Sequence, residues 1–291
     1  MRIFQYRFRG ERLVAAAAGR GRPYVVPGVA ATLDLIVRAG SSPGRLISFV
    51  ARQWERYGRK PLPKSALGPI IPLEPPEVWG FGVTYMKSAR DREEDAGASG
   101  GDIYAHAHRG PRPETFFKAT AARCVGPGEA IGIRGDSRLT AAEPELAYVV
   151  GSRGNILAYT LGNDVSAWDI ERDNPLYLPQ SKIYDGCCAL GPCLVTADAL
   201  DPHDVAITMT IRRGGRVVFR GRSHTSLIRF PLPYLHRYLK RDNTVPPGTV
   251  ALTGTGIMTP AGFGLKPGDE VAISAAGIGT LTNRARELSK R

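Results

Sequence analysis

The sequence is short of most features that would place a chain at once. Its four cysteines, Cys124, Cys187, Cys188 and Cys193, form no Cys-x-x-Cys, and its five histidines show no paired spacing that would read as a zinc site. A structural zinc site is therefore excluded, and a reducing compartment is expected. The longest early apolar run, Leu13 to Ala18, stops before Arg20. It is too short for a secretory signal and far too short to span a bilayer, so we read the protein as cytoplasmic, without a membrane partner. Gly80 and Gly82 begin a dinucleotide fingerprint, but no third glycine opens a helix after them. No helix-turn-helix, RNA-recognition or zinc-finger signature accompanies the net charge of +12. That charge is also localised: residues 1–60 hold 12 Lys/Arg against 3 Asp/Glu and residues 283–291 hold 4 against 1, leaving the body balanced at 23 of each. An Arg-rich solvated surface accounts for it, and a basic nucleic-acid-binding module is the reading of another class.

What is present is a hairpin with acid at its open end. Leu146 to Val150 and Ile156 to Leu161 are apolar, strand-length runs joined by Ser152-Arg153-Gly154-Asn155, which carries turn chemistry. Pairing Gly151 with Ile156 puts Glu143 directly across from Asp164. Strand side chains alternate with period two, so Glu145 shares their face and the three carboxylates converge within roughly 5 to 7 Å. A solvated acidic face is the plain reading of such a cluster. Against it, Leu146, Tyr148 and Val150 are apolar, and Val149 makes the other face partly apolar, so neither face is washed by water. Buried ionised carboxylates need a compensating cation. Pro144 cannot donate to a ladder and suggests a bulge or a sheet edge beside the acids. The ligands offer oxygen only, which suits Mg²⁺, with Mn²⁺ or Ca²⁺ as alternatives, and suits zinc poorly.

Residues 1–28 read as a small β-meander, and Leu33–Val37 and Leu46–Trp54 as helices. The Pro-rich passage from Pro61 to Pro76 marks a boundary near residue 72, giving a small domain over 1–72 and a larger one over 73–291. The charged run Lys87–Asp95 is a solvated helix or a lid. Lys118 sits in an apolar strand, where a lysine can snorkel to the surface. Ser166–Arg172 reads as a short helix. Lys182, downstream of the acids, is their ion-pair partner or a catalytic group. Gly254-Thr255-Gly256 follows a strand, where backbone donors can meet an anion or simply turn.

Taken together, several stretches resemble the fumarylacetoacetate hydrolase family from about Pro75 to Leu281. They are Gly82-Val83-Thr84-Tyr85, Phe116-Phe117-Lys118-Ala119, Glu143-Pro144-Glu145, Asn163 to Ala167, Ser181-Lys182, Gly191-Pro192 and Gly254-Thr255-Gly256, in the family's order. Glu77 to Gly80, Arg112-Pro113-Glu114, Asn174 to Tyr184 and Gly186 to Ala189 are similar to members that dehydrate 2-keto-3-deoxy sugar acids. The resemblance implies an α+β chain: a β-rich mixed-sheet catalytic domain with a small N-terminal α/β domain, assembled as homodimers or homotetramers. It implies Mg²⁺ on Glu143, Glu145 and Asp164, a small-molecule 2-keto acid reached by Lys182, and Thr255 on its carboxylate. Thr84, Tyr85 and Lys118 complete the implied substrate-binding set.

One departure bears on the reaction. Hydrolase members commonly have a histidine where this chain has Ser88. Cleaving an acylpyruvate needs a base to activate water, and the nearest histidines are His106 and His108. Dehydration needs only a base for a C3 proton, which a metal-chelated keto acid makes acidic, and an acid for the departing C4 hydroxyl. Glu114 and Lys182 are the candidates, in either order. Dehydration of a 2-keto-3-deoxypentonate to 2,5-dioxopentanoate is the expectation, with acylpyruvate hydrolysis as the alternative.

Overall fold

Where β-branched and aromatic residues alternate the chain runs as strand, and where apolar residues recur every third or fourth position it runs as helix. The structure, a computed structural model, describes residues 1–63, 68–85 and 108–289. Lys87–Asp95, Ser88 and His106 lie outside the described residues.

Two helices form near the N-terminus. In α1 (Thr32–Ala39) Leu35 and Ile36 are buried, and in α2 (Pro43–Tyr57) Leu46, Val50 and Trp54 recur on one face. The α2 start follows its sequence: Ser42 accepts from the Arg45 N–H at 3.2 Å, and Pro43 occupies the first turn, where a missing N–H is harmless. Both helices bury against Ala147, Val149 and Leu157 of the hairpin.

The hairpin strands, Pro144–Val150 and Ile156–Asp164, lie inside an eleven-stranded mixed sheet. Every residue of the first is buried. Leu146, Tyr148 and Val150 face a second, five-stranded sheet through Ile207, Met209, Ile211, Ile273 and Leu281. Each such side chain contributes roughly 1.5–3 kcal/mol when fully buried. The first strand, Arg2–Phe8, joins the large sheet by pairing with Cys188–Thr196, Ile3 beside Leu194, so residues at the N-terminus extend the sheet that holds the hairpin.

Strand direction then collects the site at one end of that sheet. Val78–Gly82 and Val250–Leu252 run parallel, so Gly82 and Thr253 leave the sheet at the same edge. The antiparallel neighbours bring Glu114, Pro144 and Asp164 to that edge as well.

The register corrects one expectation in detail. Ile156 pairs with Val150 rather than Gly151, and a bulge before Ala158 leaves Leu157 as an extra residue, so the ladder from Val149 onward still sets Pro144 against Asn163 and Glu145 against Gly162. No bulge occurs at Pro144, but on the side away from Asn163 the sheet is open there, as an edge. The Asp164 N–H donates to the Glu143 carbonyl at 2.9 Å. Pro144 thus falls at a position that needs no donor toward Asn163, and the neighbouring Val250–Leu252 reaches only Ala147.

Candidate metal centre and active site

Glu143, Glu145 and Asp164 present ligand oxygens within 4.8 Å of one another, and each residue is no more than 2% exposed. Each carboxylate is held from outside the cluster. The Trp168 indole Nε1 donates to Glu143 Oε1 at 2.6 Å, and the Glu143 N–H reaches Asn163 Oδ1 at 3.0 Å. The Gly254 N–H donates to Glu145 Oε2 at 2.6 Å. Only glycine suits position 254, because its φ is +90° and a Cβ there would strike Thr84 Oγ1.

Asp164 is gripped by two ammonium groups, Lys118 Nζ on Oδ1 at 2.5 Å and Lys182 Nζ on Oδ2 at 2.9 Å. Burial alone would push its carboxyl up, but the charges of Lys118 and Lys182 outweigh burial and hold it well below the usual carboxylate range. Lys118 does not snorkel. It is 0% exposed, donates to the Val165 carbonyl at 2.9 Å and lies beneath Asp164, away from the cavity. Burial opposes its charge, yet Asp164 more than compensates and raises the lysine above its ordinary value. Lys182 Nζ also donates to Ser166 Oγ at 2.7 Å, stands 3.4 Å from Glu143 and 3.8 Å from Glu171, and lies 5.1 Å from the centre of the Phe116 ring.

Glu145 behaves in the opposite way. Burial first, then the charges of Asp164 and Glu143, push its carboxyl well above the ordinary range. The crowding explains why: three carboxylates, Glu143, Glu145 and Asp164, stand together in a dry site. A divalent cation would relieve that crowding, and an all-oxygen donor set suits Mg²⁺, Mn²⁺ or Ca²⁺. The residues present therefore fit a metal held by Glu143, Glu145 and Asp164.

The triad forms one wall of a small cavity. Glu114, Lys182 and Thr255 line it, as do Val83 and Phe116. The Glu114 carboxylate lies against Gly82, where a Cβ would collide with it. Thr84 and Tyr85 sit behind this lining: the Thr84 hydroxyl donates to the Thr253 carbonyl at 2.7 Å, and Tyr85 is 2% exposed and bridges to Ile228. Burial and the nearby Glu145 push the Tyr85 phenol up. His108 is buried and bonded to the Val83 carbonyl.

Four contributors escaped the sequence reading. Asn163, Ser166 and Trp168 orient the ligands and Lys182, and Glu171 supplies the fourth buried carboxylate. The expected helix starts at Trp168 (α3, Trp168–Asp173), because Ser166–Ala167 pairs as a short strand with Thr140–Ala141. Trp168 and Glu171 then fall three apart on α3, a spacing that shares one helix face.

Comparison with known proteins agrees with this architecture. The sequence profile described as fumarylacetoacetate (FAA) hydrolase C-terminal matches residues 77–286. The chain is 49% identical to 2-dehydro-3-deoxy-D-arabinonate dehydratase of Saccharolobus solfataricus over 75% of its own length and 74% of that protein. It is 48% identical to a probable 2-keto-3-deoxyxylonate dehydratase of Haloferax volcanii, covering 73% of each. A solved 2-keto-3-deoxy-D-arabinonate dehydratase complexed with magnesium and 2,5-dioxopentanoate superposes with a TM-score of 0.81 at 36% identity, covering all of both chains. The chain belongs to the fumarylacetoacetate hydrolase family.

Proposed function

We propose that the protein is a Mg²⁺-dependent hydro-lyase that converts 2-keto-3-deoxy-D-arabinonate to 2,5-dioxopentanoate. The observation that carries this reading is the meeting, in one small cavity, of a buried, crowded carboxylate triad with Lys182 and Glu114. The dehydratase relatives supply the substrate class. Their two sugar names converge chemically: oxidation at C2 and loss of the C3 hydroxyl erase the centres at which arabinonate and xylonate differ. In the D series one compound remains, with C4 as its single stereocentre.

When bound, the metal supplies Lewis-acid polarisation of the keto acid, which acidifies its C3 protons. The protein's own groups do the rest. Glu114 takes a C3 proton, and Lys182, whose Nζ–H bonds point at Asp164, Ser166 and Glu143 in the pattern of an ammonium, protonates the departing C4 hydroxyl as water. The C3–C4 alkene gains a proton at C3 and loses one at C5, and the resulting enol tautomerises to the aldehyde. Thr255 and the backbone beside it hold the substrate carboxylate. Thr84, Tyr85 and Lys118 support the site from behind the lining residues.

Incubation with 2-keto-3-deoxy-D-arabinonate and Mg²⁺ should yield an aldehyde that a coupled dehydrogenase reports, with little or no cleavage of acylpyruvates. Rapid acylpyruvate hydrolysis without dehydration would reverse the assignment. Among the described residues no helix is long and apolar enough to cross a membrane. The reading also takes the protein as a cytoplasmic homodimer or homotetramer, which light scattering would test. Gel shifts with mixed oligonucleotides should be negative at physiological salt.

A further inference from the structure

Among the described residues, three that are not glycine have positive φ: Arg9, Val83 and Asp242. Arg9 and Asp242 are exposed, whereas Val83 is 4% exposed, lines the cavity and has φ of +53°. A β-branched residue is disfavoured in the left-handed region and stays there only where its surroundings over-determine it.

Those surroundings are specific. His108 Nδ1 lies 2.8 Å from the Val83 carbonyl, and since a carbonyl can only accept, Nδ1 carries the proton. His108 is 4% exposed and does not line the cavity. The next residue is pinned at both ends: the Thr84 hydroxyl donates to the Thr253 carbonyl at 2.7 Å, and the Thr84 carbonyl accepts from the Arg229 N–H at 3.0 Å. The Arg229 guanidinium in turn donates to the carbonyls of Arg109 at 2.8 Å and Gly110 at 3.1 Å, tying the His108 segment to the same strap.

The Val83 carbonyl is thus engaged by His108, which does not line the cavity. Turned inward, that oxygen would set an acceptor against an anionic keto acid. We propose that His108 is a positioning residue, which holds Val83 in its left-handed conformation and thereby keeps a backbone acceptor out of the substrate cavity. This role differs from that of a general base, because the protonated nitrogen is committed to a carbonyl and acts through the backbone. It rests on the reading of the cavity as a keto-acid site.

The test is a double-mutant cycle of wild type, His108→Ala, Val83→Gly and the double variant, assayed on 2-keto-3-deoxy-D-arabinonate with Mg²⁺. His108→Ala should raise KM about tenfold or more while kcat stays within about threefold, the signature of lost binding rather than lost chemistry. Val83→Gly is the reference background, because glycine enters the left-handed region without support and its own effect on the cavity lining cancels in the cycle. In the Val83→Gly background, removing His108 should change KM by less than about threefold. His108→Asn, whose amide nitrogen can occupy the Nδ1 position, should restore the wild-type KM, and a crystal structure of His108→Ala should show Val83 at negative φ.

Equal losses in both backgrounds would overturn the inference. So would a fall in kcat with an altered pH profile and an unchanged KM, the mark of a general base. If His108→Ala alone does not fold, a folded double variant with the KM of Val83→Gly supports the coupling, and a raised KM in His108→Asn refutes it. Absence of dehydration by the wild type would instead sink the proposed function, and the same four forms would then be compared by Mg²⁺-dependent binding of pyruvate.

Discussion

At its turn end the hairpin is apolar. Tyr148 meets the ring of His236 edge-on, 5.4 Å between centroids, and Val150 sinks into the space between the two sheets. At its open end the same two strands carry Glu143, Glu145 and Asp164, equally buried and braced by Lys118, Lys182, Trp168 and Gly254. One ladder therefore supports two opposed energetics: burial that stabilises at one end and burial that destabilises at the other until a cation arrives. The rigidity of the apolar end is what lets the acidic end hold three like charges in place.

Breaking the open end should abolish function. Glu145→Gln should reduce turnover to background with the fold retained, because it removes a ligand and relieves the crowded charge; circular dichroism and the aldehyde assay together read both outcomes. Lys182→Ala and Glu114→Gln should each lose about 10²–10⁴-fold in kcat, the range for a single proton-transfer group. Retention of full activity in either variant would remove that residue from the mechanism.

Breaking the supports should act on stability. Lys118→Met leaves Asp164 with one cation fewer in a dry site, and removing one partner of a buried pair costs about 3–5 kcal/mol. Denaturant melts of the metal-free protein should show that loss. At the apolar end Leu157→Ala should cost about 2–5 kcal/mol through a cavity, with kcat per folded molecule unchanged.

The smallest effect concerns pH at the turn. Burial lowers the His236 pKa from its ordinary 6.5, against the raising effect of the Gly154 carbonyl, which its Nε2–H meets at 2.8 Å. The neutral ring is the one that folds. Its contribution is present above pH 6.5 and is lost as pH falls through the depressed value. Melting temperature should fall more between pH 7 and pH 5 in wild type than in His236→Gln.

How much of this was legible follows the range of the interactions. The triad was readable because period-two alternation and one turn fix it locally, and α1 and α2 because their apolar spacing is local too. Even there the register survived only because the bulge at Leu157 absorbed a misplaced pair at the turn. The pairing of Arg2 with Val195 joins residues far apart in sequence and has no local signature. Lys118 looked like a surface-seeking lysine because its partner, Asp164, lies across three intervening strands in the sheet order. Glu171 and Trp168 became site residues only once α3 began two residues later than its sequence suggested.

The most direct test of the metal centre is calorimetric titration of metal-free protein with Mg²⁺, in wild type and in Glu145→Gln, with and without pyruvate. The expected result is one Mg²⁺ per chain in wild type, pyruvate binding only when Mg²⁺ is present, and loss of both in the variant. Wild-type protein that binds pyruvate equally well in chelator, or that keeps its turnover there, would contradict the account.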